Sequence, residues 1–294
     1  MLYDDIIVTG QRAICKSYAK INLTLDVLSK LENGYHEVEM IMQTLSLFDL
    51  IIIDKSKFGI SLSTNLRYLP TNEKNIAYKA AYEFFKETKI NSGVKISIHK
   101  NIPVSAGLAG GSGNAAAVLC GLNMLYNFPL DDNALLKIGA TLGADVPYCM
   151  VGGTQLSTGI GEILSPLPPA PKMTVLLVKP PINVSTASIY QQIDSATIIQ
   201  RPDTKAMIAA LEKGNPELIC QNLCNTMESV TQQMYPVIKG IKTKMIMNGA
   251  LGALMSGSGP TVLGIFDDQK KAKTSADSFA YQYKDVFLTK TINI

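Results

Sequence analysis

Residues 103–117 read PVSAGLAGGSGNAAA, and this stretch decides the fold that the sequence predicts. Four glycines fall within residues 107–113. Such a density of glycine lets backbone N–H groups turn toward one point and form a cradle for an anion. A helix rich in alanine and leucine follows directly, starting near Ser112, and its N-terminal end adds positive potential. The pattern predicts a loop that holds the phosphates of a nucleotide. The alternative is a mobile loop that uses glycine only for its turns.

Two better-known phosphate motifs do not fit this stretch. A Walker A loop needs Lys and then Ser or Thr after its last glycine, and no Lys follows these glycines. Residues 111–116 do match the dinucleotide pattern G-x-G-x-x-A. That pattern should open a helix immediately after a strand, but the preceding predicted strand, residues 94–99, ends about ten residues too early. A nicotinamide-dependent dehydrogenase is therefore disfavoured.

Composition and charge limit the classes of protein that remain. The chain has 294 residues, of which 47% are hydrophobic and 17% are charged, which indicates an ordered protein of roughly two domains. Its formal net charge of +3 is too mild, and its basic residues too scattered, to favour nucleic acid as a partner. It is compatible with a small anionic ligand. No apolar run approaches the roughly 20 residues that span a bilayer.

The cysteines and the first residues indicate a cytoplasmic protein. Five cysteines, an odd number without a C-x-x-C motif, are typical of free thiols in a reducing compartment. The start, MLYDDIIVTG, has no basic region of the kind that begins a secretory signal. Only two histidines are present, so a histidine-based metal site is not expected.

The hydrophobic pattern divides the chain into two parts. Four prolines within residues 166–171 predict a linker, and hence domains at 1–165 and 166–294. In the first domain, residues 19–28 alternate as in a half-buried strand, and Asn33-Gly34 predicts a hairpin turn. Helices are predicted there at 75–88 and 131–142, and a strand-turn-strand at 152–164. The second domain follows an elaborated split βαβ, ferredoxin-like order, with one long helix predicted at 216–229.

Three further groups of residues are candidates for chemistry. Lys20 and Asn22 share the polar face of the strand at 19–28, where Lys could steady a carboxylate or a phosphoryl group, or could simply be solvated. Asp145 could act as the base for a substrate hydroxyl, or could be a turn or capping residue. Tyr35-His36, at the hairpin, could stack on a planar base or could be ordinary packing.

Four segments occur together in a recognisable order. They are AKINLTLDVLSKLENGYHEVEMIMQTL at 19–45, PVSAGLAGGSGNAAA at 103–117, LGADVPYCMVGGTQLSTGIGE at 142–162 and GALMSGSGP at 252–260. This combination resembles the GHMP kinase superfamily over about residues 13–290. The segment with K-x-N and G-Y-H-E is most similar to the members that act on a cytidine diphosphate-linked methylerythritol.

The resemblance implies a fold and an activity. The fold would be α+β with two domains, an N-terminal domain like ribosomal protein S5 domain 2 and a C-terminal ferredoxin-like domain. ATP with Mg²⁺ would phosphorylate the 2-hydroxyl of the methylerythritol moiety, a step of the non-mevalonate isoprenoid pathway. The partner would be this small molecule, with no nucleic acid or membrane, and the chain would act as a monomer or a homodimer.

The resemblance also implies a role for each matching residue, although it leaves the metal ligands unassigned. Lys20 and Asp145 match the catalytic pair, and Asp145 also meets the substrate. Asn22 matches a residue near the erythritol end, and Tyr35 and His36 match the pair that recognises cytosine. The residues matched to ATP binding are Asn75 and Lys100 near the adenine, and, along the phosphate loop, Pro103, Val104, Ser105, Ala106, Gly107, Leu108, Ala109, Gly110, Gly111, Ser112 and Gly113. Residues 257–259 match a motif that packs against this loop.

The chain departs from the family pattern in three places. Tyr18 stands where Pro is usual. Gly113 stands where Ser or Ala is usual, and the loss of a hydroxyl there is expected to affect turnover more than binding. The first ten or so residues precede the usual family start, so they are expected to be disordered or to reflect an alternative start. The alternatives in function are a GHMP kinase for another small alcohol, such as homoserine or mevalonate, and a non-catalytic nucleotide-binding protein.

Overall fold

A long hairpin forms the spine of the first half of the protein. The computed structural model describes residues 3–196, 198 and 200–293. Strands β2 (Arg12–Lys30) and β3 (His36–Ser56) pair antiparallel along nearly their whole length. The predicted turn lies between them, and Gly34 there has a φ of +84°, a conformation that glycine adopts without steric cost.

Six other strands complete the first sheet around this hairpin. They are β1 (Ile6–Thr9), β4 (Ile60–Thr64), β5 (Gly93–His99), β6 (Thr154–Thr158), β7 (Ile163–Pro166) and β9 (Cys224–Asn225). Strand β1 pairs antiparallel with β2. The expectation of disorder in the first ten or so residues is therefore wrong for residues 6–9, because their backbone N–H and C=O groups extend the sheet, whereas the alternative start stays a prediction.

Four helices pack on one face of this sheet. The helices α1 and α3 begin where predicted, because the side chains of Asn75 and Asp131 accept hydrogen bonds from backbone N–H groups in their first turns. Helix α2 is buried along most of its length, which its alanines permit at close approach to the sheet. The bounds are α1 (Ile76–Thr88), α2 (Gly110–Leu125), α3 (Asp132–Leu142) and α4 (Asp145–Val151).

The second half contains a four-stranded antiparallel sheet of the predicted ferredoxin-like kind. Its spatial order is β10-β11-β8-β12, which is the order of a split βαβ fold. The strands are β8 (Thr174–Lys179), β10 (Gly252–Met255), β11 (Val262–Phe266) and β12 (Asp285–Lys290). The helices of this half are α5 (Thr186–Ile193), α6 (Thr204–Glu212), α7 (Pro216–Gln221), α8 (Thr226–Met234), α9 (Val237–Met247) and α10 (Gln269–Ala280).

One predicted helix of the second half is wrong. The single helix expected at 216–229 is two helices, α7 and α8, separated by the short strand β9. Strand β9 pairs in parallel with residues Thr24 and Leu25 of β2. Asn225 then accepts a hydrogen bond from the N–H of Met227 and so caps α8. The interruption attaches the second half of the chain to the central strand of the first sheet.

The two halves share their hydrophobic cores. Leu25 and Met40 of the first sheet pack in one cluster with Leu176 and Phe266 of the second sheet. Both faces of β2 are consequently buried from residue 19 to residue 27, so the half-buried strand predicted there is wrong. The last described residues return to the first sheet, where the N–H of Ile292 donates to the carbonyl of Thr44. The predicted boundary at 165/166 stays a prediction.

Candidate active site

The glycine-rich segment forms an irregular loop between β5 and α2. Three of its residues have left-handed backbone angles, with φ of +51° at Ser105, +72° at Gly107 and +54° at Ala109. Such angles are uncommon for residues other than glycine and concentrate at ligand-binding loops. Helix α2 begins at Gly110, slightly before the predicted start near Ser112. The first N–H groups of a helix have no partner within it, so they are available to an anion.

A cleft of about 360 Å³ lies on one side of this loop. All the predicted loop residues from 103 to 111 line it, together with Asn75 and Lys100. The polar atoms of these two side chains are used within the protein. Asn75 caps α1 and donates to the carbonyl of Pro70, and the Lys100 ammonium is paired with Asp49.

A second cavity, of about 440 Å³, lies on the other side of the loop. Ser105, Gly107 and Ala109 line both spaces, so the loop separates them. Lys20 and Asp145 line this second cavity together with Ser112. The structure thus brings the two predicted catalytic residues and the phosphate loop to one place.

Lys20 is held at the floor of this cavity by strand β2. Its side chain is buried, and its Nζ donates to Oδ1 of Asn22 at 2.8 Å. Its backbone N–H donates to the carbonyl of Leu108 in the loop, beside a register shift in the β2–β3 pairing. Asn22 is fully buried and does not line the cavity. Its side chain contacts Lys20 through the hydrogen bond from Nζ.

Asp145 is the first residue of α4 and is half-buried. It does not cap the helix, because Ala144 occupies the N-cap position without a side-chain hydrogen bond. Within the described part of the chain, the Asp145 carboxylate has no hydrogen bond and no ion pair, including none with Lys20. Asp145 therefore presents an available proton acceptor to the cavity.

The thiol of Cys149 lies close to both of these charged groups. Burial raises its pKa, the Asp145 carboxylate raises it further, and the Lys20 ammonium lowers it.

Two aromatic residues, Tyr35 and Tyr190, line this cavity and form its aromatic end. Tyr35 is 60% exposed and lines the cavity. His36 is buried, and its ring stacks on Tyr190 with centroids 4.6 Å apart and an interplanar angle of 15°. Its Nε2 lies 2.6 Å from Oδ1 of Asp194. Burial, with a smaller effect of Asp145, raises the pKa of Tyr190 to about 12, so its phenol is neutral.

Sequence reasoning missed Tyr190 and Asp194. Both belong to α5 or its C-cap, in a segment for which no helix was predicted. The side chain of Ser185 accepts from the N–H of Ser188, and this capping serine was the available signal.

A turn from the second sheet closes the cavity over the loop. Gly257, Ser258 and Gly259 line it, as the packing predicted for residues 257–259 requires. The hydroxyl of Ser256 donates to the carbonyl of Gly107 at 2.9 Å. A buried amide, that of Asn225, holds the turn by donating to the carbonyl oxygens of residues 255 and 257.

Gly113 does not lie on either space. Its N–H donates to the carbonyl of Ala109 within the helix, at 2.8 Å. Its Cα faces β2, where an added Cβ would come 2.7 Å from Oγ of Ser17. Glycine at position 113 therefore leaves space for the hydroxyl of Ser17 on the opposing strand. The absence of a side chain at this position removes no polar group from the phosphate loop.

No group of three or more His, Cys, Asp or Glu in the described ranges is arranged to hold a metal ion. A metal at this site would need oxygen ligands from a nucleotide as well as from the protein. None of the described helices combines the length and apolar character needed to cross a membrane.

Comparison with known proteins agrees with this arrangement. The family model described as "GHMP kinases N terminal domain" matches residues 75–153, and that described as "GHMP kinases C terminal" matches residues 207–285. Together these two matches define a GHMP kinase. They confirm the fold class predicted from the sequence.

Relatives and a solved structure identify the branch of that class. The 4-diphosphocytidyl-2-C-methyl-D-erythritol kinases of Caldicellulosiruptor saccharolyticus and Alkaliphilus oremlandii are each 50% identical, over 95% of this chain and 96% of theirs. A crystal structure of 4-(cytidine 5'-diphospho)-2C-methyl-D-erythritol kinase matches with a TM-score of 0.81 at 29% identity, over 95% of this chain and 98% of that one. The chain belongs to the family of 4-diphosphocytidyl-2-C-methyl-D-erythritol kinases.

A homoserine kinase structure from Cytophaga hutchinsonii shares the fold. Its TM-score is 0.74 at 17% identity, over 98% of this chain and 96% of that one.

Proposed function

We propose that this chain transfers the γ-phosphoryl group of ATP to the 2-hydroxyl of 4-diphosphocytidyl-2-C-methyl-D-erythritol, in the non-mevalonate route to isoprenoid precursors. The observation that carries the proposal is the shared cavity of Asp145, Lys20 and the glycine-rich loop. The loop divides a nucleotide cleft from an acceptor cavity. Phosphoryl transfer needs this arrangement, because its main demands are in-line positioning and charge stabilisation.

The loop and the start of α2 bind the phosphates. Their backbone N–H groups supply fixed positive dipoles that need no reorganisation during the reaction. The adenosine occupies the cleft beside Asn75 and Lys100. This assignment places the γ-phosphoryl group at the edge shared by the two spaces.

Asp145 accepts the proton of the substrate hydroxyl as the oxygen attacks phosphorus. Its carboxylate is suited to this role because no protein group within the described chain occupies its lone pairs. Lys20 supplies positive charge for the transferring phosphoryl group, and Asn22 positions the Lys20 ammonium. The transfer is direct, with no phosphoenzyme.

Mg²⁺ accompanies the nucleotide. The Asp145 carboxylate and the Ser112 hydroxyl present oxygen atoms on the cavity wall. Hard cations prefer oxygen ligands, so these two residues fit Mg²⁺. When bound, Mg²⁺ neutralises charge on the β- and γ-phosphates.

The aromatic end binds the cytidyl group. Tyr35 and Tyr190 line the cavity and offer planar surfaces, while the buried His36 stacks on Tyr190 and is held in orientation by Asp194. A simple alcohol substrate would leave this end of the cavity unused. The partner is this cytidyl-linked small molecule, and the chain acts as a monomer or a homodimer. All five cysteines are free thiols, which supports a cytoplasmic location.

The decisive experiment couples ADP release to an optical signal. Mg·ATP is offered with 4-diphosphocytidyl-2-C-methyl-D-erythritol, with homoserine and with mevalonate. We expect turnover with the cytidyl substrate alone. Turnover with only a simple alcohol would assign a different acceptor. Binding of ATP with no ADP release in the presence of any of the three acceptors would refute kinase activity.

The Asp145→Asn variant tests the assignment of the base. It should lower kcat by about 100-fold or more, with ATP binding nearly unchanged. The matched control is Asp131→Asn, because asparagine is as good an N-cap as aspartate and α3 should be unaffected. Near-normal turnover in Asp145→Asn would show that Asp145 is not the base.

A further inference from the structure

We propose that Asp49 is a positioning residue that fixes both ends of the phosphate-binding loop and holds Lys100 as a neutral pair beside the nucleotide cleft. Asp49 lies in β3 and is fully buried. It lines neither the nucleotide cleft nor the acceptor cavity. The inference rests on the proposed use of ATP by this cleft.

The first carboxylate oxygen of Asp49 holds the start of the loop. Its Oδ1 accepts from the backbone N–H of Asn101 at 2.7 Å and from that of Ile102 at 2.8 Å. Two adjacent backbone amides bound to one oxygen fix the direction in which the chain leaves β5. The side chain of Asn101 adds a bond to the carbonyl of Phe48, the neighbour of Asp49.

The second oxygen holds the end of the loop. Its Oδ2 accepts from Nδ2 of Asn114, in the second turn of α2, at 2.8 Å, and also pairs with Nζ of Lys100. Asn114 closes the group, because its Oδ1 accepts from Lys100 at 3.2 Å and its Nδ2 also donates to Oγ of Ser17 at 3.0 Å. One carboxylate thus spans residues 101 to 114.

The charge of this group matters for the cleft. The Lys100 ammonium lies beside the start of α2, since a Cβ added at Gly110 would be 3.0 Å from its Nζ. A lone cation there would oppose the positive end of the helix. The Asp49 carboxylate neutralises the ammonium and accepts hydrogen bonds from four donors. The attraction for phosphate therefore comes from the loop N–H groups, and Lys100 serves to link the loop to β3.

A reciprocal exchange of the two side chains tests this arrangement. In Asp49→Asn, the new amide N–H groups face two other hydrogen-bond donors, the Lys100 ammonium and the Nδ2 of Asn114. Asn114→Asp alone places two carboxylates around one ammonium. In the double variant, Asn at 49 still accepts from the N–H groups of residues 101 and 102 and donates to Asp at 114, which pairs with Lys100. Only the bond between residues 49 and 114 reverses its polarity, while the bonds from the N–H groups of residues 101 and 102 keep theirs and the Lys100 ammonium pairs with residue 114 instead of residue 49.

The measurements are KM for Mg·ATP, KM for the cytidyl substrate, kcat, and the urea midpoint of unfolding. We expect each single variant to raise KM for Mg·ATP by about tenfold or more, because misplacement of about 1 Å at a positioning loop has effects of that order. KM for the cytidyl substrate should change less than about twofold. The double variant should recover most of the loss. Asp54→Asn, on the same strand and in an exposed pair with Arg12, is the matched control and should change neither KM.

The outcomes separate this inference from the proposed function. Lack of ADP release by the wild-type protein would refute the function. Normal wild-type turnover with an unchanged or lowered KM for Mg·ATP in Asp49→Asn would refute only the role of Asp49. If Asp49→Asn does not fold, the comparison of Asn114→Asp with the double variant decides. A double variant with no lower KM for Mg·ATP than Asn114→Asp would overturn the inference.

Discussion

Replacement of Gly107 by Ala should damage both stability and turnover. Two separate effects act at this position. Its φ of +72° is unfavourable for any residue with a Cβ, by about 1–2 kcal/mol. In addition, the new Cβ would lie 2.2 Å from the carbonyl oxygen of Ser256, a backbone atom. Ordinary contact begins near 3.4 Å, so the loop and the turn must separate by about 1 Å.

This separation adds an overpacking cost of about 1–3 kcal/mol, for a total loss of about 2–5 kcal/mol in the free energy of unfolding. It also lengthens the hydrogen bond between the hydroxyl of Ser256 and the carbonyl of Gly107. Because the loop and the turn carry opposite walls of the acceptor cavity, kcat/KM should fall on the order of 100-fold.

A matched variant separates the two effects. Gly10 lies in the turn between β1 and β2 with a φ of +59°, and a Cβ there would meet nothing within 4 Å. Gly10→Ala should therefore show the backbone cost alone, with normal kinetics. Urea denaturation and steady-state assays of both variants give the comparison. If Gly107→Ala loses no more free energy of unfolding than Gly10→Ala, the close contact between the loop and the turn does not exist.

Three further outcomes are expected. Gly113→Ala should lose about 1–3 kcal/mol in the free energy of unfolding measured by urea denaturation. Adding Ser17→Ala should recover part of this loss, because the steric conflict is with Oγ of Ser17. Strict additivity of the two changes would contradict this explanation. Tyr190→Ala should raise KM for the cytidyl substrate about tenfold, whereas Tyr190→Phe should leave it nearly unchanged, because stacking needs only the ring. Equal effects of the two variants on this KM would exclude stacking. The hydrogen bond from His36, with a smaller contribution from Lys30, lowers the pKa of Asp194 below its ordinary 3.8. Its stabilisation is therefore present above pH 3.8 and is lost as the pH falls through the lowered pKa. In urea midpoints, the wild type should lose its advantage over Asp194→Asn as the pH falls below 3.8.

The parts of the site that the sequence predicts are those with a local signal. The glycine density of residues 107–113 indicates the loop by itself, and the alanine-rich run after it indicates the helix. Alternation in β2 correctly places Lys20 and Asn22 side by side. These inferences need only neighbours along the chain, because periodicity and turn chemistry act over a few residues.

The parts that the sequence does not predict depend on distant partners. Asp49 lies in a hydrophobic strand with no periodic signal, and the residues it contacts are more than 50 positions away. The burial of both faces of β2 follows from β9 and the second half of the chain, which no local pattern in residues 19–28 reveals. Tyr190 lies on a helix of eight residues, short enough for its stability to come from tertiary packing.

The attachment of late segments to the first sheet has a consequence for synthesis. Strand β9 pairs with β2, and the bridge between Leu45 and Thr291 joins β3 to the end of the described chain. During translation, the long hairpin of the first half emerges from the ribosome well before these partners. Its inner face then remains open, with exposed apolar surface, until residues beyond 290 have been made. We therefore expect the nascent first half to be prone to aggregation until the second half has been made.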